Sequence, residues 1–577
     1  MAYRTAMNRQ RSELQQKISQ LFDKPFLIIC LFYFASFWFF SFWVMRNQGV
    51  YWDGPLGIPH HPFNMKLLDT DFIQTITYLF VQSPFYSVFT WLMLKTDTNN
   101  GFLGYLILHY IMGFFALISL YKILSYLNIN RWLIAISLSY FVFNPGFYRA
   151  FTSGWYDFLS MCLVSITTYY FMRLVVRFTN TNLIYFFLAM TILILYRNIF
   201  SPLLFFVPMI IWLMLSYRDK WRRILWFSLL PFAITLTPYV KNYLIFNVFD
   251  VGPGQFATAI KSTTYQYQPY DLIVKDIDSG LLSPLVLCYN FYSPTTYRGI
   301  VYSLKTCQES IFSQFAVDGV NKILKEKPYL KNPAILQVEN NLPSGADYIS
   351  NSLLGFVIAK QLTKDAKNFI IHHPIEYLWA IQNNLIQLFR SNNEYEYNIA
   401  GNARHYPEWF RTSFNVGLIK LNTRYDPILL LGMLCSLTYG FLYASYSKRS
   451  NFFSLIHIAG MLLVLLILRQ VHFLHLYSNL FLNISLCWSL LFIIPSLFIA
   501  LKSGLSLPIL KDGPVNMRLM ITFMVIVCVY FLAIIDLIPG SEQERYRFTV
   551  EGLLIGLFLF WITNLYSYIK KILPIHN

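Results

Sequence analysis

Tyr78-Leu79-Phe80-Val81-Gln82-Ser83-Pro84-Phe85-Tyr86-Ser87-Val88-Phe89-Thr90-Trp91-Leu92-Met93-Leu94 is apolar enough to be taken for a membrane span, and its reading decides the topology of everything after it. Counted as a span, it puts the later Lys and Arg clusters on the outside. Read as a helix lying in the interface, it keeps them all on one side, as the positive-inside rule asks. The second reading is adopted. The run then closes a long outer loop, taken as 46–101. Its Arg46–Lys95 stretch begins where the first apolar run ends and carries Tyr51-Trp52-Asp53-Gly54-Pro55, His60-His61-Pro62 and Asp69-Thr70-Asp71. That is too long and too chemically loaded for a plain connector.

Composition places the chain in the membrane class. Of 577 residues, 56% are hydrophobic, 19% aromatic and 13% charged, and the mean hydropathy is +0.47. Soluble domains carry about a quarter charged residues. The net charge of +17 would suit a nucleic-acid binder. Here the basic residues sit in short segments between apolar runs, the distribution of cytoplasmic loops. No Walker loop, dinucleotide fingerprint or nucleophile elbow occurs. Residues 1–24 are polar and basic, and the apolar run after them is long enough to span, so no cleavable leader is expected. Cys30, Cys162, Cys435, Cys487 and Cys528 lie in apolar runs and read as inert. Cys288 and Cys307 lie in polar sequence, where one disulfide and two free thiols are both open.

Apolar runs of spanning length occur at about 25–45, 102–124, 131–147, 157–173, 181–196, 201–217, 222–240, 427–446, 452–469, 478–501, 517–538 and 549–569. The expected fold is an all-α polytopic membrane protein with about twelve spans. Basic residues follow the even-numbered spans, at Lys122 and Arg131, Arg173 and Arg177, Arg218 to Arg223, Lys448-Arg449, Lys502 to Arg518, and Lys570-Lys571. With both termini cytoplasmic, all fall inside. The organisation is then a cytoplasmic N-terminus (1–24), a membrane module with spans one to seven (25–240), a large outer region (241–426) and a second membrane module (427–577). The outer region has turn chemistry at Gly252-Pro253-Gly254 and Pro343-Ser344-Gly345, and helical stretches at Leu353–Phe369 and Pro374–Phe389. Two matching halves, as in inverted-repeat transporters, are absent.

On this topology a set of polar residues collects outside: Asp53, Asp69, Asp71, Arg149, Tyr156, Asp157, Arg197, Lys241, Asn242, His472, His475, Glu542, Glu544, Arg545, Tyr546 and Arg547. Charged groups at span ends tend to face a cavity or each other. Carboxylates from early loops and arginines from later ones suit a substrate with a phosphate and a hydroxyl nucleophile. Plainer readings stand beside this one. Arg149 and Lys241 also suit snorkelling anchors. Asp157 suits an N-terminal helix cap. His60-His61, whose side chains point apart in most backbones, and the His472/His475 pair, which shares one helical face, suit packed or interfacial residues better than a metal site.

Several pieces resemble the GT-C superfamily of membrane glycosyltransferases, most closely the bacterial branch similar to protein mannosyltransferases and aminoarabinose transferases. They are Leu67-Leu68-Asp69-Thr70-Asp71 running into Gln82-Ser83-Pro84-Phe85-Tyr86, then Thr237-Pro238-Tyr239-Val240-Lys241-Asn242, Arg197 with Pro202, His372-His373-Pro374-Ile375-Glu376, and Arg545-Tyr546-Arg547-Phe548. The chain departs from the family at Ser83, where a proline is usual, and at Phe80, where a histidine is common. The resemblance covers about residues 25–570.

It implies juxtamembrane helices in the first outer loop, a mixed outer-face region and a polyprenyl-phosphate sugar donor. The acceptor would be a glycan, lipid or protein on the periplasmic or exterior face of a bacterial inner membrane. A first-loop acid acts as base, Asp53 ahead of Asp71 and Asp69. Asp157 orients the acceptor or holds a divalent cation. Arg197, Lys241, Arg545 and Arg547 hold the donor phosphate. The rival expectations are a transporter or flippase of lipid-linked sugars and an inactive scaffold of the same architecture.

Overall fold

The computed structural model describes residues 23–38, 65–80, 84–96, 102–143, 147, 156–251, 268–288, 316–331, 353–388, 427–446, 450–470, 484–485, 488–496, 514–537 and 543–572. Among them every element is a helix or helical turn. Five helices are long and apolar enough to cross a membrane: 104–126, 157–176, 218–246, 517–534 and 548–572. They match the second, fourth, seventh, eleventh and twelfth expected spans, and support a polytopic membrane protein.

In chain order the helices are α1 (Lys24–Trp38), α2 (Met65–Thr70), α3 (Phe72–Tyr78), α4 (Pro84–Leu94), α5 (Phe102–Tyr126), α6 (Arg131–Phe143), α7 (Tyr156–Val176) and α8 (Asn180–Tyr196). A π-turn at Pro202–Phe206 leads into α9 (Val207–Ser216), followed by α10 (Trp221–Phe246). The outer region supplies α11 (Tyr270–Asp278), α12 (Leu285–Cys288), α13 (Asn321–Glu326), α14 (Leu353–His372) and α15 (Pro374–Leu388). The chain returns with α16 (Pro427–Tyr446), α17 (Ser450–Gln470), α18 (Pro514–Leu537) and α19 (Gln543–Ile572).

The helix α7 is the centre of the bundle. It packs against α5, α8, α18 and α19, and 72% of its apolar window is buried, against 22% for α10. Close crossings need small residues. A Cβ on Gly113 of α5 would run into the Tyr33 hydroxyl and meet the Phe158 ring at 2.9 Å, so α1, α5 and α7 converge on that glycine. The Tyr33 hydroxyl then donates to the Tyr110 carbonyl at 2.8 Å. At the expected inner end, Asp23 accepts from Phe26 N–H (3.0 Å), pairs with Arg131 (2.8 Å) and accepts from the Tyr121 hydroxyl, tying α1, α5 and α6 together.

Two boundaries differ from expectation, each with a local cause. The Tyr78–Leu94 run is not one helix. Helix α3 ends at Tyr78, Leu79 is extended (φ −71°, ψ 119°), and α4 starts only at Pro84. Proline lacks an N–H and suits a first helical position. The resulting α4 has 11 residues, about 16 Å long at 1.5 Å per residue, too short to span. Helix α10 runs on past residue 240 to Phe246, where Asn247 takes the left-handed cap (φ 58°). It continues despite an internal Pro238 because the Thr237 hydroxyl donates to the Ile234 carbonyl (2.8 Å) that the proline leaves without an N–H.

Candidate functional site

Helices α7 and α8 pack together, and the tight turn between them brings the start of one beside the end of the other. Asp157 lies in the first turn of α7 and Arg197 is the C-cap residue of α8. A carboxylate at a helix N-terminus and a guanidinium at a C-terminus each complement the local dipole. The two side chains meet: Arg197 Nη2 is 3.1 Å from Asp157 Oδ1, with only 5% and 2% of the side chains exposed. Two outer-end residues singled out separately in the sequence are thus one buried ion pair.

The described end of the expected first outer loop, helix α4, is seated on this end. Helix α4 packs on α8 and α5. Tyr86 and Phe89 set their rings against Tyr196, neighbour of Arg197, at 6.0 and 6.1 Å. Thr90 shares a 2.6 Å hydrogen bond with the Tyr105 hydroxyl, and from Tyr105 the contacts run through His109 (5.9 Å) to Phe158 (5.1 Å), neighbour of Asp157. The start of α19 arrives at the same place. Phe548 packs on Phe147 (6.0 Å), and Phe147 on Phe158 (5.5 Å). Arg545 and Arg547 are the third and fifth residues of α19, so their backbone lies at the Asp157 end of the bundle.

The other predicted residues divide. Asp53 lies outside the described residues, as do His60, His61, Arg149, His472, His475, Glu542 and Cys307, and with Cys307 the expected disulfide. Asp69 pairs with Lys95 at 2.6 Å, both about half exposed, and joins α2 to the end of α4. Asp71 caps α3, its Oδ1 accepting from Gln74 N–H at 3.2 Å. Lys241 donates to the carbonyls of Ile76 (3.3 Å) and Leu79. These three carry contacts within the fold, to Lys95, Gln74, Ile76 and Leu79.

Asp250 was not among the sequence candidates. The turn after α8 is held by α18, since Tyr530 donates to the Ile199 carbonyl at 2.7 Å and accepts from Ser201 N–H at 3.3 Å. Asn198 in that turn donates to the Val251 carbonyl (3.3 Å), and Asn242 to the Asp250 carbonyl (2.7 Å). Burial in this corner pushes the Asp250 carboxyl above the usual carboxylate range, against a lowering by Val251 N–H. The available signal was an acid just past the end of α10, beside the Lys241-Asn242 motif.

A buried guanidinium–carboxylate pair can exchange its anion. Arg binds phosphate oxygens bidentately, and a displaced carboxylate can accept a proton. Among the described residues no three His, Cys, Asp or Glu side chains come together as a metal site. No protein-family model matches the chain, and no curated protein or solved structure matches it.

Proposed function

We propose that the protein is an integral membrane glycosyltransferase of GT-C architecture, with about twelve spans, in a bacterial cytoplasmic membrane. It transfers a sugar from a polyprenyl-phosphate donor to an acceptor hydroxyl on the outer face. The observation that carries this reading is the seating of the first outer loop, through Tyr86 and Phe89, on the end of the bundle that holds the buried Asp157–Arg197 pair. The donor phosphate takes the place of Asp157 on Arg197, with Arg545 and Arg547 from the start of α19 as further phosphate ligands. A first-loop carboxylate, Asp53 ahead of Asp71, removes the acceptor proton. The acceptor oxygen bonds to the anomeric carbon as its bond to the phosphate oxygen breaks, with inversion, and polyprenyl phosphate leaves. Asp157, released from Arg197, orients the acceptor hydroxyl.

The test is transfer from lipid-phosphate sugars by the full chain in proteoliposomes. Loss of a positioned base costs about 10²–10⁴-fold in rate, and Asp53→Asn is expected to fall in that range. Full activity in Asp53→Asn removes Asp53 as base and passes the role to Asp71. Translocation without turnover replaces transfer with transport. A second reading, an inactive scaffold, draws on the contacts that already hold Asp69 and Asp71. Binding of a lipid-phosphate sugar with no transfer supports it.

A further inference from the structure

The strongest unexplained contact lies between residues about 165 apart in the chain. The last carbonyls of a helix have few partners within it; at the end of α3 the Ile76 carbonyl accepts from Leu79 N–H at 3.4 Å, and a distant helix adds a charged donor. Lys241 of α10, half-buried, donates from Nζ to the carbonyls of Ile76 and Leu79. An ammonium at a helix C-terminus also complements the negative end of the dipole. The next residue, Phe80, is almost fully buried. Its ring meets Phe246 at the end of α10 (5.2 Å) and Phe356 of α14 (5.3 Å), and those two rings meet each other at 5.4 Å. The same end of α10 also holds the outer region, because Lys327 (2.9 Å) and the Tyr329 hydroxyl (3.1 Å) both donate to the Ile245 carbonyl. The outer end of α10 is therefore a post to which both outer segments are tied.

Helix α4 begins four residues after Phe80 and places Tyr86 and Phe89 against Tyr196, beside Arg197. We propose that Lys241 is a positioning residue, fastening the α3–α4 corner so that the first outer loop is held over the Asp157–Arg197 pair. Its ammonium is engaged by backbone oxygens, an arrangement that orients protein rather than substrate. The buried ring of Phe80 gives the departure from the family's histidine a packing reason. The effect on turnover rests on the transfer reading; the effect on the loop does not.

The experiment compares Lys241→Met, Lys241→Arg and Phe80→Leu in the full-length protein, using amide hydrogen exchange together with transfer kinetics. Hydrogen bonds to a charged group set the local opening, so Lys241→Met raises exchange across 72–94 by about ten- to a hundredfold, with α7 and α19 unchanged. Phe80→Leu loosens the same segment, and Lys241→Arg, which keeps charge and donors, restores protection. In transfer, Lys241→Met lowers kcat and leaves KM for the lipid-phosphate donor within about threefold, whereas loss of a phosphate ligand raises that KM. Unchanged exchange in 72–94 in Lys241→Met overturns the assignment, and so does a loss confined to donor KM. If the unaltered protein shows no transfer while exchange changes as stated, the transfer reading fails and the fastening stands.

Discussion

Two acid–base pairs in this protein use the same chemistry in opposite surroundings. Asp157–Arg197 is buried at the bundle end at 3.1 Å, with almost no side-chain exposure. Asp69–Lys95 is shorter, 2.6 Å, yet its side chains are 46% and 49% exposed. Distance alone would rank the second as stronger. Solvent reverses that order. Water screens the exposed pair to a contribution of about 0–1 kcal/mol, while the buried charges have lost their hydration and depend on each other. The bundle end is therefore sensitive to loss of a single charge, whereas α2 and α4 of the first loop are joined by a bond that matters little to stability.

Breaking the buried pair is the largest effect expected. Arg197→Met leaves Asp157 as a buried carboxylate without its guanidinium, at a cost of about 3–5 kcal/mol. Unfolding of the purified protein in micelles reads this as a lowered midpoint. The double variant Asp157→Asn/Arg197→Gln removes both charges and is expected to recover most of the loss. Equal losses in the single and double variants would show that packing, not uncompensated charge, makes this end sensitive.

The helices were legible because apolar runs report spanning length directly, and α5, α7, α10, α18 and α19 fall where hydropathy puts them. The break between α3 and α4 was written in Ser83-Pro84, but the apolar count across Tyr78–Leu94 outweighed a single proline. Asp157 and Arg197 were visible as outer-end charges. Their pairing was not, because it depends on how α7 and α8 turn against each other. The partners of Lys241 were still less visible. They are backbone carbonyls, which no residue identity marks, in a segment about 165 positions away. Asp250 was passed over because its surroundings come from Asn198, Asn242 and Tyr530, on three different elements.

A third acid, buried like Asp157, sharpens the comparison by changing the partner. Asp365 of α14 is buried, but it is held by neutral groups, the Ser283 hydroxyl and the Gln361 amide (2.8 Å). Burial raises its carboxyl from the ordinary 3.8 in spite of those bonds. The folded state therefore holds its proton to higher pH than the unfolded chain does. Stability from this group is fully present below the unfolded value and is lost as pH rises through the raised one. Asp365→Asn has no proton to lose. Exchange protection of the α14 amides, followed upward from about pH 4, is expected to fall in the unaltered protein relative to Asp365→Asn. Parallel pH profiles would mean that Asp365 titrates as it does in the unfolded chain.

The smallest effect belongs to the exposed pair, and its smallness is what makes it informative. Asp69→Asn is expected to shift the unfolding midpoint by no more than about 1 kcal/mol, and less in high salt, where the Debye length falls from about 10 Å at 0.1 M to about 3 Å at 1 M. Lys95 keeps its second contact, to the Asp69 backbone carbonyl at 3.2 Å, so α2 and the end of α4 remain joined in the variant. Structure and stability then change little, and on the proposed transfer reading any large fall in transfer by Asp69→Asn has to come from chemistry rather than from the joint. That outcome would move Asp69 from the third choice of base to the first. Unchanged transfer would leave Asp69 as a surface tie and narrow the choice of base to Asp53 and Asp71.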